Sequence, residues 1–198
     1  MPESTAPTYS IPEQYLSSNA DLTLKSSDAD EFKVCSYMLK AHSKVFRDML
    51  SDSTLVSNGH SIDIDATSPD LSMFLDYMHK SRVDPPADWA QAQAILQLCD
   101  KFECDIVSER VRRRLREGVR TSPWEAFALA SQYDDVEIAQ WALRALGNDH
   151  TRKDLTASNI GARDASMMTL LYLLGYLRLA YQPRTNWNYL GKQFKPGK

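Results

Sequence analysis

The sequence predicts an α+β fold, in which a small mixed β-sheet is covered by a cluster of α-helices and followed by an all-helical extension. Three observations support this fold class. Apolar and polar residues alternate within the segment 21–34, apolar residues then recur at helical spacing from Cys35 to Leu50, and only helical signals follow Gly118.

Two strands and two short helices are predicted in the first fifty residues. Residues 21–24 form a short strand, the polar segment 26–30 forms a turn, and residues 31–34 form a second strand. Ser43 is placed to cap the second helix. One apolar helical face is formed by Met38, Leu39, Val45, Phe46, Met49 and Leu50. The segment 11–18, after a Pro-, Ser- and Thr-rich start that we expect to be disordered, predicts a further short helix.

A third strand and an amphipathic helix are predicted next. Residues 51–61 are polar and form a loop, and residues 62–64 alternate as a strand does. Ser68 is expected to cap the following helix, with Pro69 at its first position. The apolar face of this helix contains Leu71, Phe74, Leu75 and Met78.

The rest of the chain predicts helices only. Residues 89–102 and 105–119 form two of them, and Ile106 widens the apolar face of the second, whose other members are Val107, Val111, Leu115 and Val119. Ser122 is expected to cap the next helix, with Pro123 at its first position. Further helical segments are predicted at 136–146, 155–160 and 165–181.

Composition limits the classes of function. The chain has 198 residues, of which 43% are hydrophobic and 25% charged, so it can bury a core. Its net charge of −3 argues against a general binder of nucleic acid or of acidic membranes. The N-terminus has no basic or apolar signal segment, and the odd count of 3 cysteines suggests no disulfide framework. We therefore expect a reducing compartment, the cytoplasm or the nucleus.

The order of these elements resembles the start of a BTB/POZ domain. That family opens with a D-[VLI]-T-[LFI] strand, an F-x-[VA] strand, a [VM]-L helix and an S-x-x-F-x-x-M-[LF] helix, and here these are residues 21–24, 32–34, 38–39 and 43–50. The resemblance continues through the helices at 68–83 and 95–111, in which residues 98–102 stand for the family's L-A-D-K-Y element.

The resemblance implies four regions. We expect a flexible segment at 1–18, a BTB/POZ-like domain at 19–118, a BACK-like helical extension at 119–181 and an aromatic-rich tail at 182–198. Paired helices after such a domain are similar to the tails of fungal BTB proteins. The family implies a protein that binds proteins and forms homodimers or other oligomers, acting as a scaffold or adaptor, rather than an enzyme.

Two sets of partner residues follow from the resemblance. The dimer interface would involve Tyr15, Leu16, Tyr37, Met38 and Lys40. A cullin-type ubiquitin-ligase scaffold would contact the first helices and a hydrophobic-x-Glu motif before the third strand. That motif falls at Thr54, Leu55 and Val56, where the expected Glu is missing, so this partner is in doubt.

An alternative function rests on the arginines between Arg110 and Arg120. Clustered arginines neutralise phosphates, so a transcriptional or chromatin-associated regulator contacting nucleic acid is the competing hypothesis. The other interpretation is the solvent face of an amphipathic helix, because acidic residues lie among the arginines.

The aromatic residues of the tail also leave two interpretations open. Tyr181, Trp187, Tyr189 and Phe194 lie among polar residues. Either Trp187 and Tyr189 belong to a segment that docks a partner, or the tail packs against the preceding helix.

No other pattern predicts chemistry. Cys99 and Cys104 are interpreted as buried thiols rather than metal ligands, and Asp63 and Asp65 as the exposed face of an edge strand. No Gly-rich phosphate loop or nucleophile elbow is present in the sequence. We therefore expect no catalytic, cofactor-binding or metal-binding residues.

Overall fold

The computed structural model describes residues 9–17, 19–51, 61–146, 160–181 and 187–196, without the side chains of 187–188. The chain divides into two compact units, Met1–Val111 and Arg112–Lys198. Each unit is described by itself. Residues 52–60, 147–159 and 182–186 lie outside the described residues. Most of the helical piece predicted at 155–160 therefore also lies outside them.

The first unit contains a 3-10 turn, three strands and helices. The 3-10 turn is Glu13–Tyr15, and the strands are β1 Leu22–Lys25, β2 Glu31–Val34 and β3 Ser61–Asp63. The helices are α1 Ser36–His42, α2 Lys44–Met49, α3 Ser68–His79, α4 Trp89–Lys101 and α5 Asp105–Gly118, which crosses the unit boundary. The helix predicted at 11–18 is therefore wrong in extent, since in the described part of this segment, residues 11–17, the helical structure is limited to the 3-10 turn Glu13–Tyr15.

The three strands form the predicted mixed sheet, in the order β2-β1-β3. β1 pairs antiparallel with β2 and parallel with β3, with Leu24 opposite Phe32 on one side and opposite Ile62 on the other. Leu24 and Phe32 are fully buried. Asp63 is exposed at the edge strand and Asp65 is exposed just beyond it, as the sequence predicts. The α+β fold class is confirmed.

The hairpin turn and α3 are joined by buried hydroxyl groups. Ala29 has a positive φ of 68°, which lets the chain reverse between β1 and β2. Ser68 is buried, and its hydroxyl donates to Asp30 Oδ2 at 2.6 Å and lies 2.9 Å from Ser26 Oγ. Ser68 is consequently not the cap of α3. Thr67 takes that role, because its hydroxyl oxygen accepts a hydrogen bond from the Asp70 backbone N–H.

Two further sequence expectations for the helices of the first unit have opposite outcomes. Ser43 caps α2 by accepting a hydrogen bond from Phe46 N–H, as predicted. Val107 and Val111 of α5 are fully buried. Ile106 is 63% exposed, so the expectation that it widens the apolar face is wrong.

The second unit is helical. It contains the end of α5 and then α6 Pro123–Gln132, α7 Val136–Leu146, α8 Ala162–Ser166, α9 Leu170–Ala180 and α10 Trp187–Gln193. Its core is a cluster of buried aromatic rings, namely Trp124, Phe127, Tyr172, Tyr176 and Phe194. The ring centroids of neighbouring pairs lie 5.2–6.0 Å apart, which is the range of favourable aromatic contacts.

Two local predictions for this unit are wrong. The single helix expected at 165–181 is two helices, because Thr169 is extended and its backbone N–H donates to Ser131 Oγ at 3.2 Å. The side chain of Ser122 makes no capping hydrogen bond to α6.

A glycine lets α10 approach α7 closely. A Cβ atom on Gly191 would lie 3.0 Å from the Arg144 backbone nitrogen, 3.0 Å from the Gln140 carbonyl oxygen and 2.8 Å from Arg144 Cγ. Real Cβ atoms essentially never approach other atoms to less than 3.0 Å. Two of these three neighbours are backbone atoms that cannot rotate away, so a side chain at 191 would force α10 and α7 to shift apart.

Replacing this glycine tests how firmly the C-terminal helix is held. We expect Gly191→Ala to lower the free energy of unfolding by about 1–2 kcal/mol, since overpacking exceeds the gain in helix propensity. Urea unfolding followed by circular dichroism measures the change.

Gly161→Ala is the matched control. Among the described residues, a Cβ there would meet Asp164 Oδ2 alone, at 3.8 Å, so we expect a change within about 0.5 kcal/mol. Equal effects of the two substitutions would contradict the close approach of α10 and α7.

Candidate interaction surfaces

A carboxylate of the strand region holds the first turn of α1. Asp21 Oδ1 accepts a hydrogen bond from the Ser36 backbone N–H, and Asp21 Oδ2 accepts one from the Ser36 hydroxyl, both at 2.6 Å. Cys35, the N-cap residue, makes no side-chain capping bond, so Asp21 supplies the missing acceptor. Burial alone would raise the pKa of Asp21, but the hydrogen bonds from Ser36 outweigh it and lower that pKa.

Tyr15 anchors the 3-10 turn inside the first unit. It is buried, its ring packs against Phe32 and His79, and its hydroxyl donates to Asp76 Oδ1 at 2.6 Å. Burial, followed by the hydrogen bond and the charge of Asp76, raises the pKa of Tyr15. Gln14 donates to the same oxygen at 2.7 Å. The structure therefore corrects the placement of Tyr15 at a dimer interface, because its side chain is used within its own unit.

The other predicted interface residues reach the surface. Leu16 is 53% exposed and Tyr37 is 65% exposed, and each directly follows a residue that is hydrogen-bonded in place, Tyr15 and Ser36 respectively. Met38 and Lys40 are half-buried. We call Leu16, Tyr37, Met38 and Lys40 the α1 face.

Helix α2, which precedes the predicted cullin motif, is held in place by several contacts. The motif itself, Thr54, Leu55 and Val56, lies outside the described residues. At the start of α2, the Ser43 hydroxyl donates to the Phe102 carbonyl oxygen at 2.5 Å, and the ring of Phe46 stacks on that of Phe102 at 4.5 Å. Lys44 Nζ lies 3.1 Å from Glu103 Oε2. These contacts join α2 to the corner between α4 and α5.

The cysteines near this corner are buried. Neither Cys99 nor Cys104 forms a disulfide bond within the part of the chain that the structure describes, and burial raises the pKa of Cys104 to about 11. The thiol is therefore held in its unreactive protonated form. Among the described residues, no group of three or more His, Cys, Asp or Glu could hold a metal ion. Nor does any helix in the described ranges have the length and apolarity to cross a membrane.

Most of the clustered arginines are held by intramolecular partners. Arg110 donates to the carbonyl oxygens of Tyr77 and Lys80 at the end of α3. In the second unit the pairs are Arg112 with Asp135 at 3.4 Å, Arg114 with Glu117 at 3.0 Å and Arg116 with Glu137 at 2.7 Å. Arg113 and Arg120 are exposed. The region thus presents far less positive charge to phosphates than its sequence suggests.

The C-terminal segment packs into the second unit. Phe194 is fully buried between Phe127 and Tyr172, and its carbonyl oxygen accepts a hydrogen bond from Gln140 Nε2 at 3.1 Å. Packing is therefore the correct interpretation for Phe194, although the segment lies along α7 as well as α9. Tyr189 is exposed on the outer side of α10, and the side chain of Trp187 is not among the described residues.

Two histidines lie beside positive charge at the end of α1 and α3. Burial first, and then the charge of Arg110, lowers the pKa of His42, while a hydrogen bond with the Met78 backbone acts in the opposite direction. Burial also lowers the pKa of His79, where Asp76 opposes the effect and His42 and Lys80 add to it. The Nδ1 atom of His42 is buried without a hydrogen-bond partner. Neutral imidazoles therefore suit this site.

These findings predict a loss of stability in mild acid. Because the folded chain binds these protons less readily than the unfolded chain, stability is fully present above the ordinary histidine pKa of about 6.5. It decreases as the pH falls through that value and levels off below the lowered folded pKa. Urea midpoints measured from neutral pH to about pH 5 should show this decrease.

His42→Gln is the informative variant for this pH dependence. Its urea midpoint should vary less with pH over the same interval, with the remaining variation coming from His79. A variant with the same pH dependence as the unsubstituted chain would contradict the assignment to His42.

Comparison with known proteins agrees with this geometry. The family model described as BTB/POZ domain matches residues 13–118, which is more than half of the chain. The matched region contains the three-stranded sheet, α1 to α5 and every member of the α1 face. No curated protein matches the chain.

Proposed function

We propose that this chain, which belongs to the BTB/POZ domain family, forms homodimers through the α1 face. Members of this family are protein-interaction modules that commonly self-associate and are not typically enzymes. A mechanism of this kind is the burial of surface rather than a chemical step. The specific proposal names the surface: Leu16 and Tyr37 at its centre, with Met38 and Lys40 beside them.

The observation that carries this proposal is the exposure of Tyr37 on a helix fixed by Asp21. Exposed tyrosines that lie on a rigid backbone are the residues that most often dominate binding energy, because little conformational entropy is lost when they become buried. Ser36, one residue earlier, is buried and makes both hydrogen bonds to Asp21. The backbone that presents Tyr37 is thus already ordered in the monomer.

Leu16 also lies on a segment that is anchored within the first unit. Tyr15 fixes the 3-10 turn against β2 and α3, and α1 also packs on α3. Leu16 and Tyr37 therefore both extend from segments that α3 supports. A stable dimer buries about 1,200–2,000 Å² in total, so these two residues would form the centre of a larger contact.

A scaffold or ubiquitin-ligase adaptor role is the second candidate, and the anchoring of α2 favours it. Ser43, Phe46 and Lys44 hold α2 against the α4–α5 corner, which supplies a fixed helical platform. Since the expected Glu is missing near Val56, we infer that contact with a cullin-type scaffold would rest on α2 itself.

Tyr189, with Trp187, remains a proposed partner surface on the tail.

The structure weighs against the nucleic-acid alternative. Arg110, Arg112, Arg114 and Arg116 are engaged by carbonyl or carboxylate oxygens, so binding phosphates would require breaking these contacts.

Self-association through the α1 face can be tested with one surface variant. Tyr37→Glu places a charge where an apolar contact is expected. We expect it to raise the dimer dissociation constant at least tenfold, because substitution of an interface hot-spot residue weakens binding by at least this much. Light scattering across a concentration series measures the mass of each protein.

Ile106→Glu is the matched control, because Ile106 is about as exposed as Tyr37 but lies on α5 and is not part of the α1 face. Its mass should equal that of the unsubstituted chain at every concentration. A monomer at all concentrations, or a Tyr37→Glu protein with unchanged mass, would overturn the proposed dimer.

A further inference from the structure

The last turn of α3 holds both segments that present the α1 face. Tyr15 donates a hydrogen bond to Asp76 Oδ1 at 2.6 Å, and its ring meets the ring of His79 edge-on, with the centroids 5.9 Å apart. His42, the last residue of α1, forms a hydrogen bond with the Met78 backbone. The first set of contacts fixes the 3-10 turn, and the second fixes the end of α1. We call the polar residues of this region the α3 junction, namely His42, Asp76, His79 and Arg110.

Positive charge already occupies the helix ends at this junction. Arg110 donates to the carbonyl oxygens of Tyr77 and Lys80 at the end of α3. Arg47 Nε donates to the Lys40 carbonyl oxygen in the last turn of α1 at 3.1 Å. The C-terminus of a helix carries partial negative charge and favours a cation. Because guanidinium groups already take that place on both helices, a charged histidine would gain little there.

The carboxylate of the junction is also engaged. Asp76 Oδ1 accepts hydrogen bonds from Tyr15 and from Gln14 Nε2, and Asp76 Oδ2 lies 2.7 Å from Lys80 Nζ. Asp76 and His79 are three residues apart on α3, a spacing at which helical side chains are neighbours. A protonated His79 would therefore compete with Tyr15 for this carboxylate.

His79 faces titratable groups from the 3-10 turn, α3 and α1. These groups are Tyr15, Asp76, Lys80 and His42. Burial is the main cause that lowers the pKa of His79, Asp76 opposes it, and His42 and Lys80 add to it. The surroundings of His79 thus favour its neutral form.

His42 has no acceptor for a second proton. Its Nδ1 atom is buried and has no hydrogen-bond partner among the described residues. Besides His79 on α3, it faces Arg110 on α5. Protonation would leave a buried N–H group unpaired and place two positive charges side by side. Burial first, and then the charge of Arg110, accordingly hold the pKa of His42 below its ordinary value.

We propose that mild acid weakens self-association through the α1 face by loosening the α3 junction. Protonated His42 repels Arg110 at the end of α1, and protonated His79 draws Asp76 away from Tyr15. Both segments of the face then lose part of their support. The effect on association rests on the proposed function, whereas the loosening of the junction does not.

The direction of the effect follows from the proton balance. The loosened junction binds protons at the ordinary histidine pKa of about 6.5, whereas the ordered junction binds them less readily. Association should therefore be strongest above this value and weaken as the pH falls through it. The weakening should level off below the lowered pKa values of His42 and His79.

Two other groups of charges do not produce this effect. Burial would raise the pKa of Asp21, but hydrogen bonds from Ser36 lower it, so the carboxylate at the start of α1 stays ionised in mild acid. The net charge is −3 with the 4 histidines neutral, so protonating them brings the chain closer to zero charge. Repulsion between copies would then decrease, which favours association rather than opposing it.

Sedimentation equilibrium on the full chain measures the effect on association. We expect the dimer dissociation constant to rise at least about tenfold between about pH 7.5 and about pH 5.5. Far-ultraviolet circular dichroism at each pH checks that the chain stays folded.

Hydrogen exchange on the Tyr37→Glu protein measures the loosening without the dimer. After correction for the intrinsic effect of pH on exchange, the amides of α1 should lose at least about tenfold in protection over the same interval. The amides of β1, which is paired on both sides, should keep their protection.

Neutral substitutions test the assignment to the two histidines. The chain carrying both His42→Gln and His79→Gln should show a nearly constant dissociation constant and nearly constant α1 protection over this interval, because an amide does not titrate. Each single substitution should give an intermediate dependence. Ile106→Glu, an exposed position outside the α1 face and the junction, should show the pH dependence of the unsubstituted chain.

The outcomes distinguish acid sensitivity from the proposed function. A dimer with a constant dissociation constant, or equal losses of protection in α1 and β1, would overturn the acid-sensitive junction and leave the α1 face standing. An undiminished pH dependence in the doubly substituted chain would overturn the assignment to His42 and His79. A chain that is monomeric at neutral pH would overturn the proposed dimer and with it the effect on association, while the α1 amides would still report the loosening.

Discussion

The carboxylate of Asp21 is the interaction on which the presentation of the α1 face depends. Helix α1 has only seven residues, too few to be stable alone, and its N-cap residue supplies no capping group. Asp21 bonds both the backbone and the hydroxyl of Ser36, so the start of the helix is tied to the residue just before β1. The mixed sheet fixes β1 on both sides. The position of Tyr37 is therefore set by the sheet, through one carboxylate.

Polar groups also anchor the ends of other helices in the first unit by hydrogen bonds. Arg110 satisfies the last carbonyl oxygens of α3, and Ser43 satisfies both an N–H group of α2 and the Phe102 carbonyl oxygen. Each contact joins two elements that are far apart in sequence. The short helices of this fold are thus positioned by their ends as well as by their apolar faces, which leaves some outward faces free for partners.

The sequence correctly predicted those features that are determined by residues close together in the chain. The Ser43 cap, the strand alternation and the buried face of α3 all depend on neighbouring residues, and each was confirmed. The cap of α3 was misassigned because Ser68 is bound by Asp28 and Asp30, about forty residues away. Tyr15 was misplaced because its partner, Asp76, lies on a different helix. The arginine partners and the break at Thr169 likewise depend on contacts between distant segments.

Trp124, which makes an edge contact with the ring of Tyr176 at 5.2 Å, provides a fluorescence signal from within the second unit. Of the tryptophan side chains that the structure describes, Trp124 is fully buried, Trp141 is 42% exposed and Trp89, in the first unit, is half-buried. The change in indole emission on unfolding should therefore come mainly from the aromatic core of the second unit, while far-ultraviolet dichroism reports helices in both. Coincident transitions by the two signals would mean that the units melt as one cooperative body, and separate transitions would mean that each has its own melting equilibrium.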